Sequence, residues 1–302
     1  MNGTHLDPRR LELLLELSRL GSMREVADSL DVTTSTVSQQ IATLAREVGT
    51  PLLEPDGRRV RLTPAGTRLA EHAVTVLAAL EAARLDLDPA ATPAGTVRVG
   101  AFATAVRQAV LPVVRTLAQE HPDVELRIRE YEPAEALDLL MADHLDLAVT
   151  YDYDLAPTTF DRNVVIQPMG AADWGLAMPS AQRPRRRGTA LEVFERFADA
   201  DWIVNSRNTA DEDAVRLIAS LAGFVPFVAH RADSLELVQD MVLAGLGVGL
   251  LPVGQPVQRG ISVIPLHDPG VTLRAYAVAR RGRTAWPPLA LVLRLLEGIT
   301  LR

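Results

Sequence analysis

From Thr33 to Gln40 the chain reads Thr-Thr-Ser-Thr-Val-Ser-Gln-Gln, a run in which every side chain but Val37 ends in a hydroxyl or an amide. Placed on the exposed first turns of a helix, Thr34, Ser35, Thr36, Ser38, Gln39 and Gln40 have the chemistry to read a polymer of phosphates and bases. Short hydroxyls allow close approach, and Gln pairs bidentately with adenine. A second group follows in "PLLEPDGRRVRLTPAG", where Asp56-Gly57 signals a tight hairpin, Arg58 sits at its tip, and Arg59, Val60, Arg61 and Leu62 alternate along the return strand. Arginines on a hairpin beside such a helix suit phosphate or minor-groove contact. The plainer alternative, a solvated Ser/Thr/Gln face of an ordinary helical bundle, leaves the basic hairpin without a purpose.

Three short helices must position these groups. Asp7 and Pro8 open the first, with Leu11, Leu14, Leu15 and Leu17 near one face and Gly21 ending it. Ser22 caps the second, which carries Val26, Ala27 and Leu30. Thr33 caps the third, buried through Val37, Ile41, Leu44 and Val48 and closed by Gly49. A tight turn between the second and third makes a helix-turn-helix, and the hairpin adds a wing. Residues 1–66 form this expected DNA-binding unit. They hold eight Arg against nine Asp and Glu, so affinity for a polyanion depends on where the charges stand, and it should fall steeply with salt.

Residues 67–94 read as a linker. Leu69, Ala73, Val76, Leu80, Ala83 and Leu87 recur at alternating steps of four and three, the spacing of a coiled-coil seam, before the Pro- and Ala-rich hinge "DLDPAATPAGT". The seam either packs on its own domain or pairs with a second copy. Pairing would supply two recognition helices, and so a homodimer with twice the contacts to double-stranded DNA.

Beyond Thr96 strands and helices alternate: "TVRVGAF", "AVRQAVLPVVRTLAQEHP", "VELRIREYE", "PAEALDLLMADH", "LDLAVTYDYD", and again "WGLAMPS", "WIVNS", "DEDAVRLIASLAG", "FVPFVAHRA", "SLELVQDMVLAGLG", "VGLLPV", then "VTLRAYAVARRG" and a last helix from Trp286. This α/β pattern implies a parallel sheet with short crossovers. We expect residues 95–302 to divide into lobe I (95–162 and 270–302) and lobe II (163–269), with a ligand cleft between them at strand ends.

The order of helix-turn-helix, Arg wing ending "LTPAG", heptad linker helix and two-lobed domain with "AGLGVGLLP" resembles the LysR-type transcriptional regulators over essentially the whole chain, most specifically from Gly21 to Gly66. The resemblance implies a fold of N-terminal winged helix-turn-helix, long linker helix and two-lobed, periplasmic-binding-protein-like effector domain. It also implies a homo-oligomer that binds promoter DNA and senses a small molecule. Thr34-Ser35 replace the usual Gln-Pro entering the recognition helix, and Pro55 replaces an Arg by the wing, so the family's operator preference does not carry over.

The resemblance places the effector between the lobes, at positions matching Ala103 and Thr104, Tyr151 and Tyr153, Asn205, Ser206 and Arg207, and Asp233 and Ser234. Thr104 and Ser234 sit near helix starts that favour an anion, and Arg207 can pair with a carboxylate; taken singly they also read as N-caps and a loop charge. The Tyr pair in "YDYD" can clamp a ring or pack between lobes. Asp152 and Asp154, if turned inward, would disfavour a polyanion. An organic acid or aromatic metabolite is the expected effector class.

The formal net charge of −7 and the hydrophobic content of 48% describe a globular chain. With no cysteine there is neither a disulfide framework nor a thiolate metal site, and the six His lack ligand spacing. There is no Lys, so every fixed cation is Arg. No export signal or membrane-spanning run is read, which suits the cytoplasm. "GLGVG" leads from helix to strand, the reverse of a dinucleotide-binding turn, and "RPRRRG" reads as a solvated loop. No catalytic constellation or cofactor is implied. The alternative is a two-lobed binding protein or enzyme whose N-terminal helices serve only oligomerisation.

Overall fold

The structure, a computed structural model, describes residues 6–57, 59–88, 90–184 and 188–301. Arg58 and, in the Arg183–Gly188 basic run, Arg185, Arg186 and Arg187 therefore lie outside the described residues.

Helix α1 (Pro8–Leu20) starts at Asp7, whose carboxylate accepts from the Arg9 amide, and ends at Gly21 in the left-handed conformation. Helices α2 (Met23–Ser29) and α3 (Thr34–Val48) are capped by Ser22 and Thr33. Leu11, Leu14, Leu17, Val26, Val37, Ile41 and Leu44 interlock beneath them. Strands β1 (Leu53–Asp56) and β2 (Arg59–Leu62) form the wing, with Asp56 opposite Arg59 across a two-residue turn at Gly57. Gly66 lies under it. A Cβ there would come within 2.3 Å of the Leu52 carbonyl oxygen, so close contact of wing and linker demands glycine.

Helix α4 (Pro64–Leu87) runs out of this unit. At about 100° per residue, Ala70, Ala73, Val74 and Ala78 share its buried face. The coiled-coil seam divides accordingly. Leu69 and Ala73 pack in the chain's own core, Ala73 because it lies at the margin of the stripe beside Ala70 and Val74. Val76, Leu80 and Leu87 are 43%, 47% and 83% exposed, and Ala83 is exposed with them.

The remaining chain folds about one nine-stranded sheet, in the order β4-β3-β5-β11-β6-β9-β7-β8 with β10 beside β6. One half comprises β3 (Gly95–Ala101), a helical stretch made of α5 (Ala103–Ala105), a π turn and α6 (Leu111–Glu120), β4 (Val124–Glu130), α7 (Pro133–Met141) and β5 (Leu147–Tyr153). The other comprises β6 (Val164–Pro179), α8 (Ala190–Glu195), β7 (Asp201–Val204), α9 (Ala210–Leu221), β8 (Phe227–Arg231), α10 (Leu235–Leu243), β9 (Val248–Pro252) and β10 (Ile261–Pro265). Strand β11 (Thr272–Arg280) and helix α11 (Pro287–Glu297) return to the first half.

The sheet is mixed rather than parallel throughout. Pairs β3–β4, β3–β5, β7–β8 and β7–β9 are parallel, whereas β6, β10 and β11 run antiparallel to their neighbours. The reason is β6. Its first part, to Asp173, pairs with β11, and Trp174 onward pairs with β9 and β10. The passage between lobes thus falls inside one long strand, not in a loop near residue 163.

The DNA-binding unit is tied to lobe I by charge. Arg19 of α1 and Arg280 at the end of β11 both pair with Asp143, which is 6% exposed as a side chain. Next to them Arg98 grips Asp146 with two guanidinium contacts of 2.9 Å, and Arg283 adds a third at 3.2 Å while stacking on Trp286. Burial by itself would push Asp146 up, but the Arg98 and Arg283 guanidiniums override it and hold the carboxyl at about 2. Gly282 abuts Thr75 of α4, with no room for a Cβ.

Candidate DNA interface and effector cleft

Thr33 caps α3, its hydroxyl oxygen accepting from the Thr36 amide at 3.1 Å. That cap turns Thr34, Ser35, Ser38 and Gln39 outward as an exposed polar face, while Thr36 and Gln40 are half-buried. Gln40 differs from the rest: its amide oxygen accepts from Arg10 Nε of α1 at 2.9 Å, so it braces two helices. On the wing, Arg61 is exposed and pairs with Glu54 across the hairpin at 2.7 Å. Arg59 opens β2.

Sequence reasoning stopped one turn short on α3. Ser35, Gln39, Ala42 and Arg46 recur at four, three and four residues and form one ridge, with Arg46 donating to the Thr43 hydroxyl at 2.8 Å. Within the unit Arg10, Arg19, Arg24 and Arg61 are held by carboxylates. Among the described residues, Arg9 and Arg46 are exposed without an acidic partner. Positive charge is therefore left on the flank of α3 although the unit as a whole is not basic.

The second site is a cavity of about 170 Å³ between the lobes. Its wall includes Ala103, Thr104 and Tyr151 from lobe I, and Asn205, Asp233 and Ser234 from lobe II. The crossing strands supply Trp174, Leu273 and Ala275. Three expected residues stand elsewhere. Tyr153 lies beneath the floor, fully buried, its hydroxyl donating to Asp211 at 2.7 Å. Alternation along β5 puts Tyr151 and Tyr153 on one face, but only Tyr151 reaches the cavity. Ser206 donates its amide to Asp233 at 2.8 Å.

Arg207 is already engaged. It contacts Glu130 at 3.1 Å, Glu132 at 3.7 Å, Glu135 at 3.5 Å and Asp233 at 3.3 Å, bridging the lobes. Asp152 and Asp154 do not point inward either: Asp152 accepts from Arg274 at 2.9 Å, and Asp154 accepts from the Thr272 amide at 2.9 Å. Ser234 is the N-cap of α10, accepting from the Leu237 amide at 3.3 Å and donating to Glu236 at 2.9 Å. Thr104 is not a cap, since α5 starts from Phe102 without a side-chain bond.

What the sequence left unseen is the pair Glu132 and Asp211. Both line the cavity, only 4% and 8% exposed. Glu132 accepts from the Tyr151 hydroxyl at 3.1 Å and from Asn208 of the other lobe at 2.6 Å. Burial, aided by the neighbouring Asp233 charge, pushes Glu132 up. Burial likewise pushes Asp211 up to about 7, with Glu132 and Asp233 adding to it. The same desolvation, with the two carboxylates beside it, drives the Tyr151 hydroxyl well above its ordinary range. Asp211 belongs to "DED" at a helix start, a pattern that reads as a dipole contact; nothing local in it announces burial.

A winged helix-turn-helix joined by a long helix to a two-lobed α/β domain with a cavity between its lobes defines a DNA-binding protein with a ligand domain. Residues 8–67 match the bacterial regulatory helix-turn-helix protein, lysR family, and residues 90–298 match the LysR substrate binding domain. The chain belongs to the LysR family and is a DNA-binding transcriptional regulator with an effector-binding domain.

It is 26% identical over 287 residues to the transcriptional dual regulator GltC of Bacillus subtilis, covering 90% of this chain and 93% of that protein. It is 31% identical over 265 residues to a probable hydrogen peroxide-inducible genes activator of Mycobacterium avium, covering 85% and 79%. Among solved structures, full-length OxyR C199D from Pseudomonas aeruginosa superposes with a TM-score of 0.72 at 21% identity, over 97% of both chains. ArgP from Mycobacterium tuberculosis gives 0.69 at 20%, again over 97% of both. These structural likenesses speak to fold.

Proposed function

We propose that α3 enters the DNA major groove with Thr34, Ser35, Ser38 and Gln39 toward base edges and Arg46 toward a phosphate, while Arg58, Arg59 and Arg61 of the wing serve the flanking backbone or minor groove. Two copies pair through the exposed α4 stripe of Val76, Leu80, Ala83 and Leu87, and a homodimer or a tetramer of such pairs acts in the cytoplasm. The observation that carries this reading is the exposed, hydroxyl- and amide-rich start of α3 beside a two-stranded wing. Among the described residues no helix is long and apolar enough to cross a membrane.

The cleft binds a small molecule and performs no turnover; ligand affinity that differs between open and closed lobes shifts the spacing of the recognition helices. The 302 residues contain no thiol, so the signal reaches this chain by binding and not by cysteine oxidation.

Fluorescence anisotropy of the full-length protein on its own upstream DNA against a scrambled duplex, across a salt series, tests this reading. Selective binding, lost in an Arg58→Ala/Arg59→Ala variant, supports it. Equal binding to both duplexes at every salt concentration contradicts it.

A further inference from the structure

The cavity is lined by the carboxylates Glu130, Glu132, Asp211, Asp233 and Glu236 against a single guanidinium, Arg107. Arg107 is itself paired with Glu236 and Arg207 beside the cavity with Glu130, Glu132 and Asp233, so five carboxylates face two guanidiniums that are both already engaged. An anionic effector would enter a field of its own sign.

The buried end of the cavity is more specific. Asp211 Oδ1 accepts from the Tyr153 hydroxyl, and among the described residues no donor reaches its other carboxylate oxygen. A carboxylate more than nine-tenths buried, with an open acceptor on a cavity wall, calls for a donor from the cavity. Glu132 stands close enough to raise the Asp211 proton affinity.

The walls favour the same sign of charge. Phe102 and Tyr151 pack edge to face at 4.9 Å, and Tyr153 and Trp174 at 5.5 Å. Phe102, Tyr151 and Trp174 border the cavity. Aromatic rings attract cations through their negative faces and cover apolar carbon equally well. The chain already places one cation at this cleft, since Arg207 spans Glu130 and Glu135 of one lobe and Asp233 of the other.

We propose that the cleft takes a small organic cation, a protonated amine with an apolar body of about one ring, whose ammonium donates to Asp211 and Glu132 while its body lies against Tyr151 and Trp174. The size follows from the volume: a cavity of roughly 150 Å³ admits benzene, and this one measures about 170 Å³. The proposal rests on the effector-binding reading of the cleft and replaces the organic acid expected from sequence.

A consequence separates this occupant from others. Without ligand, the burial of Asp211 near the charges of Glu132 and Asp233 outweighs the hydrogen bond from Tyr153 and favours its protonated form up to about pH 7. An arriving ammonium favours the carboxylate, so binding releases a proton and tightens as pH rises.

Calorimetry on the full-length protein with benzylamine, benzyl alcohol and benzoate holds the body constant and varies the head group. Benzylamine should bind at least tenfold more tightly than either of the others. Its affinity should rise severalfold from about pH 6 to about pH 8 with proton release, seen by repeating the titration in buffers of different ionisation enthalpy. Asp211→Asn should weaken benzylamine at least tenfold and remove the pH dependence, and Glu132→Gln should weaken it by a similar factor; circular dichroism checks that each variant folds. Benzoate binding most tightly, or no saturation at millimolar benzylamine, overturns the proposal. Operator anisotropy on the same preparation keeps two failures apart. Selective DNA binding with preference for benzoate removes only the charge class, whereas loss of operator selectivity removes the regulator reading.

Discussion

Arg19 of the first helix and Asp143 of lobe I form an ion pair with side chains 11% and 6% exposed, joining the DNA-binding unit to the effector domain within one chain. Asp143 also serves Arg280. Replacing it by Asn leaves Arg280 without its paired carboxylate and Arg19 with Glu16 alone, and breaking a buried pair this way costs about 3 kcal/mol or more. Arg19→Met leaves Asp143 with Arg280 and should cost less. Urea denaturation of both variants and of the double variant measures the coupling; equal losses from the two single changes would contradict the shared arrangement.

Gly66 sets two magnitudes against each other. Alanine in a helix gains about 1 kcal/mol over glycine, but its Cβ would meet the Leu52 carbonyl at 2.3 Å. That oxygen belongs to backbone and cannot swing aside, and overpacking of this kind costs about 1–3 kcal/mol. Gly66→Ala should therefore lower the melting temperature. A rise would show that the wing yields.

The folded-state pKa of Asp211, about 7, lies above its ordinary value of 3.8. The folded chain then holds a proton that the unfolded chain has released. This contribution to stability is complete below the unfolded value and is lost as pH rises toward and through about 7. Asp146 acts in the opposite sense, held at about 2, and its contribution disappears only in stronger acid. Melting temperatures of the wild type should fall more between about pH 5 and pH 8 than those of Asp211→Asn. Parallel curves would mean that Asp211 titrates as an exposed aspartate does.

Gln39 and Gln40 are adjacent in sequence but differ in what they touch. Gln39→Ala should relax preference at one operator base pair, by about 1–3 kcal/mol, and leave stability nearly unchanged. Gln40→Ala removes the bond from Arg10 and should lower stability by about 1 kcal/mol. Anisotropy on single-base operator variants, beside thermal melts, distinguishes the two.

The exposed α4 stripe predicts its own test. Leu80→Glu puts a charge on a side chain 47% exposed in the single chain, so the monomer should fold. Sedimentation velocity should show a smaller species than the wild type, with operator affinity reduced through loss of the second recognition helix.

Local signals carried much of this molecule. The caps Asp7, Ser22 and Thr33 and the stops Gly21 and Gly49 fix three helices by hydrogen bonds within a few residues, and the Asp56-Gly57 turn fixes the wing. Non-local features were less legible. Strand β6 begins at Val164, ten residues before the stretch that reads as a strand, because Pro168 and Gly170 break the pattern while the β11 partner restores it with a register shift. The short elements α8 and β10 were passed over. At the cleft, Ala103, Tyr151 and Asp233 stand at positions the family layout suggests, but Glu132 and Asp211 line one cavity from two different lobes, and no spacing in the sequence reports that. Arg207 misled for the same reason: its carboxylate partners lie on elements more than seventy residues earlier in the chain or beyond β8.

Strand β11 has a mechanical consequence. Its Leu273 and Ala275 form cavity wall, its end carries Arg280 into the Asp143 pair, and Gly282 just beyond presses on Thr75 of the linker helix. Seven residues of strand span about 23 Å and, clamped between β5 and β6, stretch hardly at all. The cleft and the linker thus share one stiff push-rod: a displacement at Leu273 reappears at Arg280 with little damping, at the point where the helix carrying the DNA-binding unit bears on the effector domain.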